Sequence, residues 1–232
     1  MQSEVTHLTL QDQLLTWFEK NKRQLLTGTV AVVVIGAIAG IYLWRQNQTQ
    51  ADASEALSKV TGTAYTGGTQ TGSTEALLKV ATDYAGTEAA KRAVLLAAGN
   101  YFTDGKYKEA QAQFEKFLRD YRDSVFAGQA LLGVAASKDA QGLAAEATAA
   151  YKDIVDHHSA DSVAPQARFA LGRLYETQNK PELARDLYQQ VAQMDANGAL
   201  GAEAGMRLAE LFSKHPGLIP ASAPAATGGL KP

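Results

Sequence analysis

Cysteine is absent from the 232-residue chain, which excludes a disulfide framework, a thiolate metal site and a cysteine nucleophile. Its absence leaves the compartment open. Proline is scarce at 6 residues, and aromatics are few, with 7 Phe, 9 Tyr and 2 Trp. Alanine is abundant instead, the composition of a helix former. Excess positive charge is also lacking: 22 Lys and Arg stand against 24 Asp and Glu, a net charge of -2. A nucleic-acid binder needs a concentrated cationic face to displace counterions from phosphates, so the balance argues against that class. The length allows one domain or two small ones around a sizeable core.

One stretch lacks charge altogether. No residue between Arg23 and Arg45 is ionisable as Lys, Arg, Asp or Glu, and Leu25 to Trp44 is a 20-residue apolar run broken only by Thr27, Thr29 and three glycines. As a helix it spans roughly 30 Å, the thickness of a bilayer's hydrocarbon core. Tyr42 and Trp44 close one end, where amphipathic rings settle at headgroup level. The rival is a cleaved signal peptide, because Ala51-Asp52-Ala53 has the small-x-small form of a cleavage site. Signal h-regions are shorter, at about 7–15 residues, so the run reads as an uncleaved transmembrane helix over 25–44. Lys20, Lys22 and Arg23 precede it and Arg45 alone follows closely. The positive-inside rule then places residues 1–24 in the cytoplasm and the rest across the membrane. Gly36 and Gly40 form a GxxxG pair that would admit another helix, or are incidental to an Ala/Gly/Val-rich span.

The remainder repeats with a period of 37: Ala110, Ala147 and Ala184; Phe114, Tyr151 and Tyr188; Phe117, Ile154 and Val191. Gly105, Gly142 and Asn179 keep the same interval just ahead, at a turn between helices. Each repeat therefore reads as helix, tight turn, helix, with the alanine and the aromatic four apart on one face. The pattern resembles tetratricopeptide repeats. Leu171-Gly172, Tyr175, Ala184 and Tyr188 stand at that family's offsets, as do Ala97-Ala98, Tyr101, Ala110 and Phe114. The middle repeat has Val134-Ala135, Ala147 and Tyr151, but Lys138 replaces an aromatic. Repeats begin near Lys91, Gly128 and Pro165, and a boundary signature recurs at Asp83-Tyr84 with Thr87, Asp120-Tyr121 with Ser124, and His157-His158 with Ser162.

The expected fold is all-α: one N-terminal transmembrane helix, then a tetratricopeptide-repeat solenoid of about three full helix pairs, a degenerate N-terminal pair and a capping helix. By residue number, 1–24 is a tail with a short amphipathic helix carrying Leu14, Trp17 and Phe18, and 25–44 is the span. Residues 45–90 form a stalk and the degenerate pair, Ala51–Val60 with Ser73–Tyr84, joined by the Gly/Thr-rich 61–72. Residues 91–198 are the repeats. The cap is 199–215, with Met206, Leu208, Leu211 and Phe212 as its apolar contacts, and 216–232 is a disordered tail holding four of the six prolines.

No constellation of reactive groups is legible. His7, His157, His158 and His215 show no metal-ligand spacing, and the adjacent pair reads as cations at a helix C-terminus. The stretch from Gly67 to Thr74 approaches a phosphate-binding loop but lacks its lysine and a preceding strand. There is no GxSxG elbow and no dinucleotide fingerprint. The expectation is a non-enzyme without cofactor or metal.

The resemblance implies a concave groove lined by the first helices. Its residues would be Arg92, Leu95 and Phe102 from the first repeat, Gln129, Leu132 and Asp139 from the second, and Gln166, Phe169, Arg173 and Glu176 from the third. The middle row, Leu95, Leu132 and Phe169, is apolar. Such a strip suits a hydrophobic peptide or a partner's helix, unless the chain's own helices cover it. The layout also resembles the ancillary SecYEG translocon subunit family (YfgM-like). Trp17-Phe18-Glu19-Lys20-Asn21-Lys22 before the span, Tyr42, Trp44 and Arg45 at its exit and the repeats beyond carry that likeness over roughly residues 12–213. It implies a single-pass inner-membrane protein with a periplasmic domain. Its partners would be translocon subunits, a membrane-tethered periplasmic chaperone and exported chains. The alternative is a scaffold for envelope assembly or cell-division coordination. The Pro/Ala tail is no part of the likeness.

Overall fold

The computed structural model describes residues 10–67 and 73–219. Among them the chain forms nine α-helices, a 3-10 turn at Pro216–Leu218 and no strand. The helices are α1 (Leu10–Gly67), α2 (Thr74–Asp83), α3 (Glu88–Thr103), α4 (Tyr107–Asp120), α5 (Ala127–Ala140), α6 (Ala144–His157), α7 (Ala164–Thr177), α8 (Pro181–Met194) and α9 (Ala199–Lys214). The expectations for residues 1–9, for 68–72 and for the tail from 220 lie outside the described residues, as do the side chains of Leu14 and Phe18.

Two compact units divide the chain, Met1–Asp52 and Ala53–Pro232. Helix α1 is continuous where three separate segments were expected: the amphipathic piece from Leu10 onward, the apolar run and the stretch from Ala51 to Gly67 all belong to one helix. Nothing between Leu10 and Gly67 stops it, since the interval contains no proline and the isolated glycines each weaken a helix by only about 1 kcal/mol. Val33, Val34, Ile35, Ile38, Ile41, Leu43 and Trp44 are all exposed. At 100° per residue these positions surround the helix, so apolar surface faces outward on every side. Among the described residues no helix is long and apolar enough to cross a membrane. The side chains of Leu25, Leu26, Thr29, Ala31 and Val32, which belong to the expected span, lie outside that description.

The second unit is built from the 37-residue period. Helices α4, α6 and α8 start at Tyr107, Ala144 and Pro181, and α5 and α7 at Ala127 and Ala164. Within each pair the turn depends on one left-handed residue. Gly105, Gly142 and Asn179 have φ of 76°, 75° and 55°. That conformation lets the next backbone N–H fold back to the third-last helical carbonyl: Lys106 to Tyr101 at 2.8 Å, Leu143 to Lys138 at 3.0 Å and Lys180 to Tyr175 at 2.8 Å. The glycine and asparagine spacing is therefore the turn itself.

Between pairs a second hydrogen bond repeats. The N–H four residues after the last helical residue donates back to the carbonyl of the residue that follows the helix: Thr87 to Tyr84 at 3.1 Å, Ser124 to Tyr121 at 3.0 Å, Asp161 to His158 at 3.0 Å and Gly198 to Asp195 at 2.9 Å. The boundary signature in the sequence pairs His157-His158 with Ser162. The bonding register selects Asp161, whose carboxylate also lies 3.2 Å from the His158 ring. Thr87 additionally caps α3 by accepting from the Ala90 N–H at 3.1 Å.

Four apolar clusters follow one another along the stack. The end of α1 supplies Ala56, Leu57 and Val60 against Leu77, Val80, Ala93 and Ala97, so the degenerate pair exists, with the tail of α1 as its first member. Phe114 and Phe117 fill the next cluster, Tyr151 and Ile154 the third, Tyr188 and Val191 the last. Each cluster joins only neighbouring helices, as a solenoid requires. Helix α9 closes the end with Gly201, Ala204 and Leu211 buried. Met206 was expected among its contacts but is 67% exposed. It occupies the register of Leu95, Leu132 and Phe169, and α9 is the last α-helix among the described residues, so no further helix there covers it.

Ala110, Ala147 and Ala184 are fully buried at the close approach within each pair. Leucine at 147 is expected to overpack this crossing by about 1–3 kcal/mol. The melting temperature followed by circular dichroism should fall by about 2–4 °C per kcal/mol for a chain of this length. An unchanged melt would contradict the assigned packing.

Candidate partner-binding groove

The first helices of the pairs present their register positions to a series of open cavities within the second unit. Between α3 and α5 lies a space of about 560 Å³ walled by Arg92, Leu95, Leu96, Asn100, Phe126 and Gln129. Arg92 and Leu96 also border a space of about 490 Å³ beside Ser54, Leu57 and Thr61 of α1. On the other side, Phe126 and Gln129 continue into about 710 Å³ alongside Leu132, Val163 and Gln166. A fourth cavity, about 380 Å³, is ringed by charge: Asp139, Arg173 and Glu176 meet Arg207, Lys214 and His215 of the cap.

Of the ten residues the sequence singled out, Arg92, Leu95 and Gln129 thus share one wall, Gln129, Leu132 and Gln166 a second, and Asp139, Arg173 and Glu176 a third. Two stand apart. Phe102 packs edge-on against Tyr107, with ring centroids 5.2 Å apart. Phe169 is 7% exposed and lies against Tyr188 at 5.5 Å. Leu95 is also only 7% exposed, so the chain's own packing consumes most of the apolar row. What faces outward is more polar than the sequence suggested. Gly36 and Gly40, expected as a helix-contact pair, have no atom within 4 Å of where a Cβ would sit.

Beneath the charged end, two phenols are buried. The Tyr188 hydroxyl donates to the Glu176 carboxylate. Its pKa is driven far above that of a free tyrosine, first by burial, then by that hydrogen bond and the Glu176 charge, with Arg207 and Arg173 opposing. Tyr151 is raised likewise by burial and then by Asp139, against Arg173. Both phenols therefore stay neutral, and Tyr188 holds Glu176 through its hydroxyl.

Sequence reasoning missed Leu96, Phe126, Arg207, Lys214 and His215. Extending the 37-residue register one repeat further would have found Arg207, which follows Leu96, Gly133 and Ala170. It also missed two bonds that lock neighbouring pairs, Gln141 Nε2 to Gln111 Oε1 at 2.7 Å and Gln178 Nε2 to Thr148 Oγ1 at 2.8 Å. Those four residues obey the same period. The lysine at 138 has a compensating partner as well. Lys106 and Lys180 lie over Tyr101 and Tyr175, whereas the middle repeat exchanges the pair for Lys138 and Leu143, and Lys138 reaches Glu146 at 3.3 Å.

His157 and His158 each contact one carboxylate, Asp153 at 2.9 Å and Asp161 at 3.2 Å. Among the described residues no three metal-ligating side chains converge. Residues 68–72 of the loop-like stretch lie outside the described residues.

Stacked helix pairs with left-handed turn residues, buried alanine crossings and an open inner face define an α-solenoid of the protein-binding kind. A family model described as a tetratricopeptide repeat-like domain matches residues 16–136, more than half of the chain, and the protein belongs to that family. No curated protein matches the sequence. Among solved structures, the chain is similar to the nearly identical TPR-like repeats of a putative kinesin light chain from Podosopora anserina. That match has a TM-score of 0.50 and 16% identity, over 75% of this chain and 88% of that one. It is also similar to PcrH from Pseudomonas aeruginosa, at a TM-score of 0.48 and 19% identity over 54% of this chain and 94% of that one. A T3SS complex from Aeromonas hydrophila matches at 0.48 and 19%, over 60% and 89%. The first of these likenesses shows the fold alone.

Proposed function

We propose that the protein is a single-pass, membrane-anchored binding module whose repeat domain holds other polypeptides on its inner face. The carrying observation is the uncharged run 25–44, whose described apolar side chains are exposed around α1. An apolar surface of that extent calls for lipid or a partner. The family match begins at residue 16, ahead of this run, which supports reading run and repeats as parts of one design. In the finer reading, residues 1–24 are cytoplasmic and the repeats periplasmic, and the protein is an ancillary adaptor of the export translocon that assists newly exported chains. That step rests on the flanking-charge bias and on the resemblance over residues 15–60.

Gln129 and Gln166 are exposed groove positions and suit a photo-crosslinking side chain in intact cells. Capture of translocon subunits or nascent exported chains is the expected result. Exclusive capture of cell-wall or outer-membrane assembly proteins would instead favour the envelope-scaffold reading. In spheroplasts, protease added outside should remove the repeat domain; its protection would overturn the topology.

A further inference from the structure

The middle cavity of the groove carries one charge. Of the residues that wall it, Arg92 alone is ionised, and the rest are apolar or neutral. Among the described residues no carboxylate pairs with Arg92. Its guanidinium lies 5.5 Å over the Phe126 ring, a contact that orients the group without neutralising it. The acid that borders the adjoining space, Glu88, pairs with Lys91 at 2.6 Å. Leu96 remains 37% exposed beside Arg92. The cavity also shares lining residues with its neighbours, Arg92 and Leu96 on one side and Phe126 and Gln129 on the other, a succession that suits a linear chain.

Taking the protein-binding reading above as its basis, we infer that this part of the groove recognises a polypeptide segment in which apolar residues stand beside a carboxylate. The apolar side chains sit on Leu96 and Phe126, and the carboxylate pairs with Arg92. Space of about 560 Å³ lies in the range of sites that bury drug-sized ligands, enough for more than one apolar side chain. A guanidinium donates two parallel hydrogen bonds to a carboxylate and makes no such contact with a lysine. The charge therefore selects among apolar segments rather than supplying the bulk of the affinity.

The test uses the full chain in nanodiscs of zwitterionic lipid, with empty nanodiscs as the blank. Short fluorescein-labelled peptides carry a leucine pair flanked by aspartates, by lysines or by serines. Fluorescence anisotropy should show the aspartate series binding about five- to tenfold more tightly than the lysine series at low salt, with the gap closing as salt is added. Arg92→Glu should reverse that order, and Arg92→Lys should keep it in weakened form. Arg92 is exposed, so circular dichroism of the variants should match the parent. Equal binding of the aspartate and lysine series, or an aspartate preference that survives Arg92→Glu, overturns the pairing while leaving the groove as a binding surface. Failure of every series to bind overturns the groove reading as well.

Discussion

Replacing Tyr188 with alanine is expected to cost about 3–5 kcal/mol and to undo the C-terminal part of the stack first. The ring is fully buried in the last apolar cluster, with Phe169 on one side and Val191, Ala204 and Leu211 around it. It also fills the space left by Gly172, where a Cβ would come within 2.7 Å of its edge. Truncation therefore opens a cavity that neither α7 nor α8 can close. It also strips the Glu176 carboxylate of its phenolic donor. For a chain of this size the melting temperature should fall by roughly 2–4 °C per kcal/mol. Because each cluster joins only adjacent helices, amide exchange should rise in α7, α8 and α9 while α3 and α4 keep their protection. Uniform loss along the solenoid, or an unchanged melt, would contradict the assigned core. Tyr188→Phe separates the two parts: it keeps the ring and loses only the hydroxyl, at about 1 kcal/mol. The raised phenol adds a pH signature whose sign is fixed. In the unfolded chain tyrosine ionises near 10.0, whereas folded Tyr188 does so far higher. Its stabilisation is thus complete below about pH 10 and is lost as pH climbs from there toward the folded value. The phenylalanine variant should therefore lose less stability than the parent between neutral pH and pH 11, since part of the parent's loss comes from this group.

The period carried most of the repeat architecture because it is a record of contacts that recur. Gly105, Gly142 and Asn179 marked the turns since the left-handed residue at each is nearly obligatory. Ala147 and Tyr151 marked the close crossing, since small and large must alternate there. Where a role is filled by backbone, residue type misled: the Asp161 N–H donates to His158, a bond any residue but proline could make, so the serine beside it drew the assignment. The groove was legible as a set of positions but not as a surface. Leu95 and Phe169 are placed on the inner face by register, yet how far neighbouring helices roll over them depends on side-chain volumes three or four residues away on other helices. Arg207 and Met206 were within reach of the same register, but among the described residues no α-helix follows α9 to identify it as a fourth first-helix. The unbroken course of α1 escaped because polar, apolar and alanine-rich segments differ in hydropathy, while helix continuity is a property of the backbone and needs only the absence of a breaker.

Two arginines set into the middle of that helix, Val34→Arg with Ile35→Arg, are expected to release the protein from the membrane fraction. At the centre of a span each arginine raises the free energy of insertion by about 2.5–3.5 kcal/mol, and the pair together by roughly twice that. The leucine, isoleucine and valine residues of the run each return only about 0.3–0.6 kcal/mol, and Thr27, Thr29 and the three glycines contribute little, so the span has no reserve to absorb the pair. After alkaline carbonate extraction the parent should sediment with membranes and the double arginine variant should shift to the supernatant. Val34→Leu with Ile35→Leu should behave as the parent. Val34 and Ile35 are exposed and lie outside the unit that holds the repeats, so the melt of the repeat domain should be the same in all three. The competing account of this surface is self-association of helical arms in water, and the same variants divide the two. Arginines would then dissolve an oligomer on gel filtration without detergent, and the parent itself would appear in the carbonate supernatant. That last observation would remove the anchor from the proposed function while leaving the repeat domain as a binding module.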